Sequence, residues 1–78
     1  LDRLKAGGLP AAVGEYHAAR LLMLRGKHFD AARVLDRVRQ ELQHDPAMTR
    51  EVNLLLGRCY QQFGEADRSL AAFRRAVP

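Results

Sequence analysis

The feature of this 78-residue sequence that most constrains its fold is a correspondence between its two halves at an offset of 38 residues. Residues of similar size or shape coincide when the chain is shifted by that offset. The coinciding pairs are Ala19 with Gly57, Leu22 with Tyr60, Gly26 with Gly64, Ala31 with Ser69, Leu35 with Phe73, and Val38 with Ala76. Self-similarity at such a period is typical of proteins built from stacked units, each of which buries its apolar face against the next.

The residues between these positions favour helices. Ala, Leu and Arg dominate the chain, and all three have high helix propensity. Positions that interrupt helices are few and evenly spaced: Gly7-Gly8, Pro10, Gly26, Asp45-Pro46 and Gly64. They predict four helices after a short N-terminal segment. Because the links are short, paired helices must run antiparallel. The predicted fold class is therefore all-α, made of antiparallel helix-turn-helix repeats.

Apolar residues recur at helical spacing in each predicted helix. The third helix has a stripe of Val52, Leu55, Leu56, Cys59, Tyr60 and Phe63. The second has Ala31, Leu35, Val38 and Leu42, and the fourth has Ala66, Leu70, Phe73 and Val77. The first, from about Pro10 to Arg25, is apolar on more than one face over residues 18–24. That pattern predicts a helix buried from more than one side.

Residues 50–77 resemble the tetratricopeptide repeat. They contain, in order, Leu56-Gly57, Tyr60, Gly64, Ser69, Phe73 and Ala76, which is similar to that family's Leu-Gly, aromatic, turn Gly, small, aromatic and Ala positions. Residues 12–43 resemble the repeat less closely, since Ala19, Leu22 and Leu35 replace the Gly and both aromatics. The offset of 38 exceeds the family's usual period of about 34 residues. The extra residues fall near 43–49, which predicts a longer second helix or a looser link.

This resemblance implies one domain over residues 1–78, a fragment of a right-handed α-solenoid. Residues 1–8 would end a preceding helix, 10–44 would form the first repeat and 46–78 the second. The implied function is a protein–protein interaction scaffold or adaptor, in which the first helix of each repeat lines a concave groove for a peptide or partner protein. Carried over position by position, the groove residues are Tyr16, Arg20, Met23, Leu24, Leu54, Arg58, Gln61 and Gln62. The two arginines favour a partner with acidic residues beside apolar ones.

Two alternatives remain open. The chain would be a self-association module if the apolar end faces of the repeat stack are uncovered. It would bind nucleic acid or an anionic surface if its arginines, which contribute to a net charge of +4, act together. However, Asp30, Asp36 and Glu41 interleave with the arginines of the second helix, which is typical of an ordinary solvated face and makes nucleic acid the weaker alternative.

No residue pattern predicts an enzyme, a cofactor or a metal site. Gly7-Gly8 lacks the spacing of a phosphate-binding loop, and Glu41 and His44 form a single pair without a second copy. The lone Cys59 lies on an apolar stripe, where cysteine is usually a small core residue. The longest apolar run, residues 21–24, is far below the roughly 20 residues of a membrane span. The compartment is not indicated.

Overall fold

The computed structural model describes residues 8–77, and side chains from Ala11 to Val77. That range contains four helices: α1 Gly8–Leu24, α2 His28–Glu41, α3 Pro46–Phe63 and α4 Ala66–Ala76. The described range has no strand, so the all-α prediction is confirmed at that level. The preceding helix predicted for residues 1–8 lies outside the described residues except for Gly8, which begins α1.

Two glycines end α1 and α3 in the same way. Gly26 has φ +79° and Gly64 has φ +77°, in the left-handed region that a residue with a Cβ enters at a cost of about 1–2 kcal/mol. The N–H after each glycine donates back to a helix carbonyl: Lys27 to Leu22 at 2.8 Å, and Glu65 to Tyr60 at 2.9 Å. Both helices therefore end in the same motif, which satisfies carbonyls left without helical partners.

The link between α2 and α3 is the longest of the three, covering residues 42–45. Asp45 caps α3, because its Oδ1 accepts from the N–H of Met48 at 3.2 Å, and Pro46 occupies the first helical position. The Thr49 hydroxyl donates to the carbonyl of Leu42 at 3.0 Å and closes the link from the other side. The link therefore forms an ordered turn that is capped from both sides.

Each helix packs on the next one in the sequence, while α1 and α3 meet over only a small area. The apolar stripe predicted for α2 is confirmed, since its four members are between 0% and 1% exposed. On α3, Val52, Leu56 and Cys59 are fully buried. Phe63, at the end of the predicted stripe, is 37% exposed. The core is therefore centred on α2 and α3.

The stripe predicted for α4 is wrong apart from Phe73, which is half-buried. The structure instead buries Ser69, Ala72 and Ala76, and leaves Leu70 51% exposed. The exposed members of the predicted stripe also include Ala66 and Val77. The physical reason is close helix approach: α4 meets α3 at Gly57, whose carbonyl accepts from the Ser69 hydroxyl at 2.9 Å, so small residues fill the contact.

The expectation that α1 is buried on more than one side is also wrong. Ala12, Tyr16 and Ala19 are buried, but Ala18 is exposed, as are Leu21 at 57% and Leu24 at 83%. Within residues 8–77 only α2 packs extensively on α1, so a single face is covered. Periodicity alone could not reveal which of the two apolar faces meets a neighbour.

Candidate functional site

A contact between Tyr16 and Glu51 joins α1 to α3 on the side where the groove is predicted. The Tyr16 hydroxyl donates to Glu51 Oε1 over a long 3.4 Å, and only 6% of Tyr16 is exposed. Arg20 lies one helical turn after Tyr16, with its guanidinium carbon 6.0 Å from the centre of the tyrosine ring. Leu54 and Arg58 follow Glu51 on the same face of α3. The contact therefore joins the face of α1 that carries Arg20 to the face of α3 that carries Arg58 at one point.

The electrostatics at this contact keep the phenol protonated. Burial first, and then the negative charge of Glu51, raise the pKa of Tyr16 above its ordinary 10.0, while Arg20 acts in the opposite direction. At neutral pH Tyr16 is thus a neutral donor. Glu51 was not among the predicted groove residues, although its spacing to Leu54 and Arg58 places it on their face.

The eight predicted groove residues differ in exposure. Tyr16 is buried, whereas Met23 and Leu54 are half-buried. The remaining members are exposed to solvent: Arg20, Leu24, Arg58, Gln61 and Gln62. A ligand on this side would meet mainly guanidinium and amide groups, with apolar contact from Leu24 and Leu54. Whether these residues form a binding groove stays a prediction.

A second surface, which the sequence did not indicate, is an aromatic cleft between α2 and the α3–α4 turn. Its lining residues are Phe29, Ala32, Arg33, Asp36, Tyr60, Phe63, Glu65 and Arg68, around a volume of about 580 Å³. The ring centroids of Phe29 and Phe63 are 5.8 Å apart, and those of Tyr60 and Phe63 are 6.3 Å apart. Phe29 is 63% exposed. Phe29 belongs to none of the predicted apolar stripes. An aromatic residue outside every stripe was the only sign in the sequence that this surface exists.

Two arginine contacts are equivalent under the 38-residue offset. The Arg37 Nη2 donates to Glu15 Oε2 at 2.9 Å, joining α2 to α1. The Arg75 Nε donates to Asn53 Oδ1 at 3.0 Å, joining α4 to α3. Each pair thus links the two helices of one half at the same place. The contacts differ in burial, since Asn53 is 1% exposed and the Arg37–Glu15 pair lies at the surface.

The chemically reactive side chains in the described range are not assembled into a site. Cys59 is fully buried, and burial raises the pKa of its thiol to about 11, so it is protonated and shielded from reagents. Glu41 and His44 are exposed at the end of α2. Among residues 8–77, no group of three or more His, Cys, Asp or Glu side chains is placed to hold a metal ion.

The helices that the structure describes include none that is both long and apolar enough to cross a membrane. Comparisons of the chain with protein-family models, with curated proteins and with solved structures give no match. The geometry therefore defines an all-helical protein in which consecutive helices pack on one another. The resemblance to tetratricopeptide repeats stays a prediction.

Proposed function

We propose that this chain is a protein–protein interaction scaffold built from two tetratricopeptide-like repeats. In this arrangement α1 and α2 form one antiparallel hairpin, α3 and α4 form the other, and the hairpins stack with the right-handed sense of an α-solenoid. The first repeat spans 10–44 and the second 46–78. A peptide or partner protein binds along the side formed by α1 and α3. No catalytic step is part of this proposal.

The observation that carries the proposal is that the 38-residue offset relates contacts as well as residue types. The turns at Gly26 and Gly64 have the same backbone conformation and the same hydrogen bonds. The Arg37–Glu15 and Arg75–Asn53 contacts join equivalent positions in the two halves. Short links and packing between consecutive helices support antiparallel hairpins. Repetition of one supersecondary unit is the defining feature of a repeat scaffold.

The chemistry of the α1–α3 side supports a peptide ligand with acidic and apolar residues. Arg20 and Arg58 are exposed, and a guanidinium binds a carboxylate through two parallel hydrogen bonds. Leu24 and Leu54 offer apolar contact beside them. Glu51 lies on the same face of α3 as Arg58, about two turns before it, and accepts a hydrogen bond from Tyr16. It would repel a ligand carboxylate beside it, so the two ligand carboxylates should be separated, with one at Arg20 and the other at Arg58.

The proposal predicts that Arg20→Glu combined with Arg58→Glu weakens peptide binding. The probes are fluorescein-labelled peptides of about ten residues that carry two separated Asp or Glu residues next to Leu or Phe. Fluorescence anisotropy measures their dissociation constants. Losing two charge-assisted contacts and gaining two repulsive ones should weaken binding by roughly 100-fold or more. The same peptides with Lys in place of Asp and Glu should not bind the unaltered chain.

The matched control is Arg33→Glu combined with Arg68→Glu, which makes the same charge change at the aromatic cleft. Arg37 is unsuitable as a control because its salt bridge to Glu15 would be broken. The control should leave peptide binding within about threefold of the original. If the Arg20 and Arg58 substitutions leave the dissociation constant unchanged while the Arg33 and Arg68 substitutions raise it, the peptide binds at the aromatic cleft and the proposed groove is wrong.

A further inference from the structure

The two halves of the chain bury equivalent faces to different extents. On α3, Val52, Leu56 and Cys59 are 0% exposed, because this face packs toward α2. The equivalent residues of α1 under the 38-residue offset are Gly14, Ala18 and Leu21, and all three are exposed. We name this set the leading face. It is the part of α1 that corresponds to the surface by which the second half docks on the first.

The opposite end of the molecule shows the complementary difference. On α2, Ala32 is 6% exposed and Leu35 is fully buried, and the side chain of Arg39 is 30% exposed. The equivalent residues of α4 are Leu70, Phe73 and Val77, which we name the trailing face. Leu70 is 51% and Val77 is 66% exposed, and Phe73 is half-buried. Leu70 and Phe73 line a shallow depression of about 460 Å³.

The trailing face is better suited to burial than its internal counterpart. Val77 stands where α2 has the charged Arg39, and Leu70 stands where α2 has Ala32, so the exposed face is the more apolar of the two. At the middle position α2 has Leu35 and α4 has Phe73, which is half-buried because its ring also packs over Gly57 of α3.

We infer that a second copy of this chain covers these faces, with the leading face of one copy packed on the trailing face of the other. This contact between copies has the same arrangement as the packing of α3 on α2 within one chain. The inference rests on the repeat arrangement proposed above but not on groove binding. Because the contact joins two different faces, each dimer retains one free leading face and one free trailing face, so further copies can add.

The association is expected to be weak and to strengthen with salt. A single helix face from each copy lies at the small end of the range of specific interfaces, where weak and transient complexes are found, and we expect a dissociation constant of about 10 µM to 1 mM. Each chain carries a net charge of +4, and Arg74 lies beside the trailing face. Screening of this like-charge repulsion should favour association as the ionic strength rises.

Sedimentation velocity of the 78-residue chain up to about 1 mM tests the inference. The unaltered chain should form dimers and larger species. Leu21→Glu and Leu70→Glu should each be monomeric alone, because a carboxylate on either face would have to be buried without a partner. Mixing the two variants should restore dimers and nothing larger, since each retains the face that the other has lost. Leu21→Gln and Leu70→Gln repeat the test without added charge.

The matched control is Leu24→Glu. Leu24 is 83% exposed, and its equivalent Gln62 stays exposed although α3 is docked on α2, so the control should associate like the unaltered chain. Circular dichroism verifies that each variant is folded. A monomeric unaltered chain overturns the inference, as does dimerisation of Leu21→Glu alone or a mixture that stays monomeric. Loss of association in Leu24→Glu also overturns it. None of these outcomes affects the peptide-binding measurement at Arg20 and Arg58, which tests the proposed function independently.

Discussion

Gly57 shows how one residue sets the distance between two helices. A Cβ at this position would lie 2.6 Å from Cδ1 and from Cζ of Phe73, closer than non-bonded carbon atoms approach. The Gly57 carbonyl also accepts from the Ser69 hydroxyl across the same contact. α4 can approach this closely only because α3 has no side chain here. The structure thus places Gly57 at a point of close approach between α3 and α4.

Replacing Gly57 by Leu should lower the free energy of unfolding by about 1–3 kcal/mol, because the added side chain displaces Phe73 and separates α3 from α4. Urea denaturation measures the change. The control is Gly14→Leu, since nothing lies within 4 Å of a Cβ at Gly14. The control should gain up to about 1 kcal/mol from the higher helix propensity of Leu. If both variants change stability in the same direction, Gly57 is not the contact that limits the approach.

At the scale of whole helices, the two equivalent arginine contacts differ in what surrounds them. Asn53 accepts from Arg75 and donates from its Nδ2 to the carbonyl of Thr49 at 2.9 Å, so its amide is satisfied although almost fully buried. Glu15 and Arg37 make the same inter-helix link in water, with side chains 39% and 58% exposed. The link between α4 and α3 therefore runs from the exposed Arg75 to a buried amide, whereas both ends of the link between α2 and α1 lie at the surface.

Asn53→Ala should cost about 1–3 kcal/mol of unfolding free energy, because it removes two hydrogen bonds and leaves a buried space. Glu15→Ala removes the equivalent exposed pair and should cost less than about 1 kcal/mol. Thermal or urea unfolding of both variants gives the comparison. Equal losses would mean that burial does not distinguish the two contacts.

At the scale of the whole molecule, Cys59 links global stability to pH. It is fully buried in the core cluster, and burial raises the pKa of its thiol from 9.0 to about 11. A group whose pKa is raised on folding contributes stability that is fully present below the unfolded-state pKa. That stability is lost as the pH rises through the folded-state pKa. A pKa difference of this size corresponds to about 2–3 kcal/mol.

The unaltered chain should therefore lose stability between about pH 9 and pH 11, and should lose about 2–3 kcal/mol more than Cys59→Ala over the same interval. Urea unfolding at several pH values gives both slopes. The comparison is between slopes, so the cavity left by the substitution does not affect it. Tyr16 is present in both proteins and its own titration cancels. Parallel curves of unfolding free energy against pH for the two proteins would show that ionisation of the Cys59 thiol does not destabilise the fold.

The helices and turns of this protein follow from its sequence, because they depend on neighbours a few residues apart. Gly26 and Gly64 adopt the left-handed conformation that glycine favours, and Asp45 caps α3 with its own side chain. The apolar stripe of α2 was predictable for the same reason. Its apolar residues recur at helical spacing without interruption, and the other face of the helix is charged.

Only the tertiary structure decided which faces meet. The burial of small residues on α4 and the exposure of Leu21 depend on which helices pack together, and a periodic pattern does not specify its partner. Tyr16 and Glu51 are 35 residues apart, and the aromatic cleft joins α2 to the end of α3, so neither could be predicted from local spacing. Local hydrogen bonding determines a helix, whereas burial is a property of the assembled molecule.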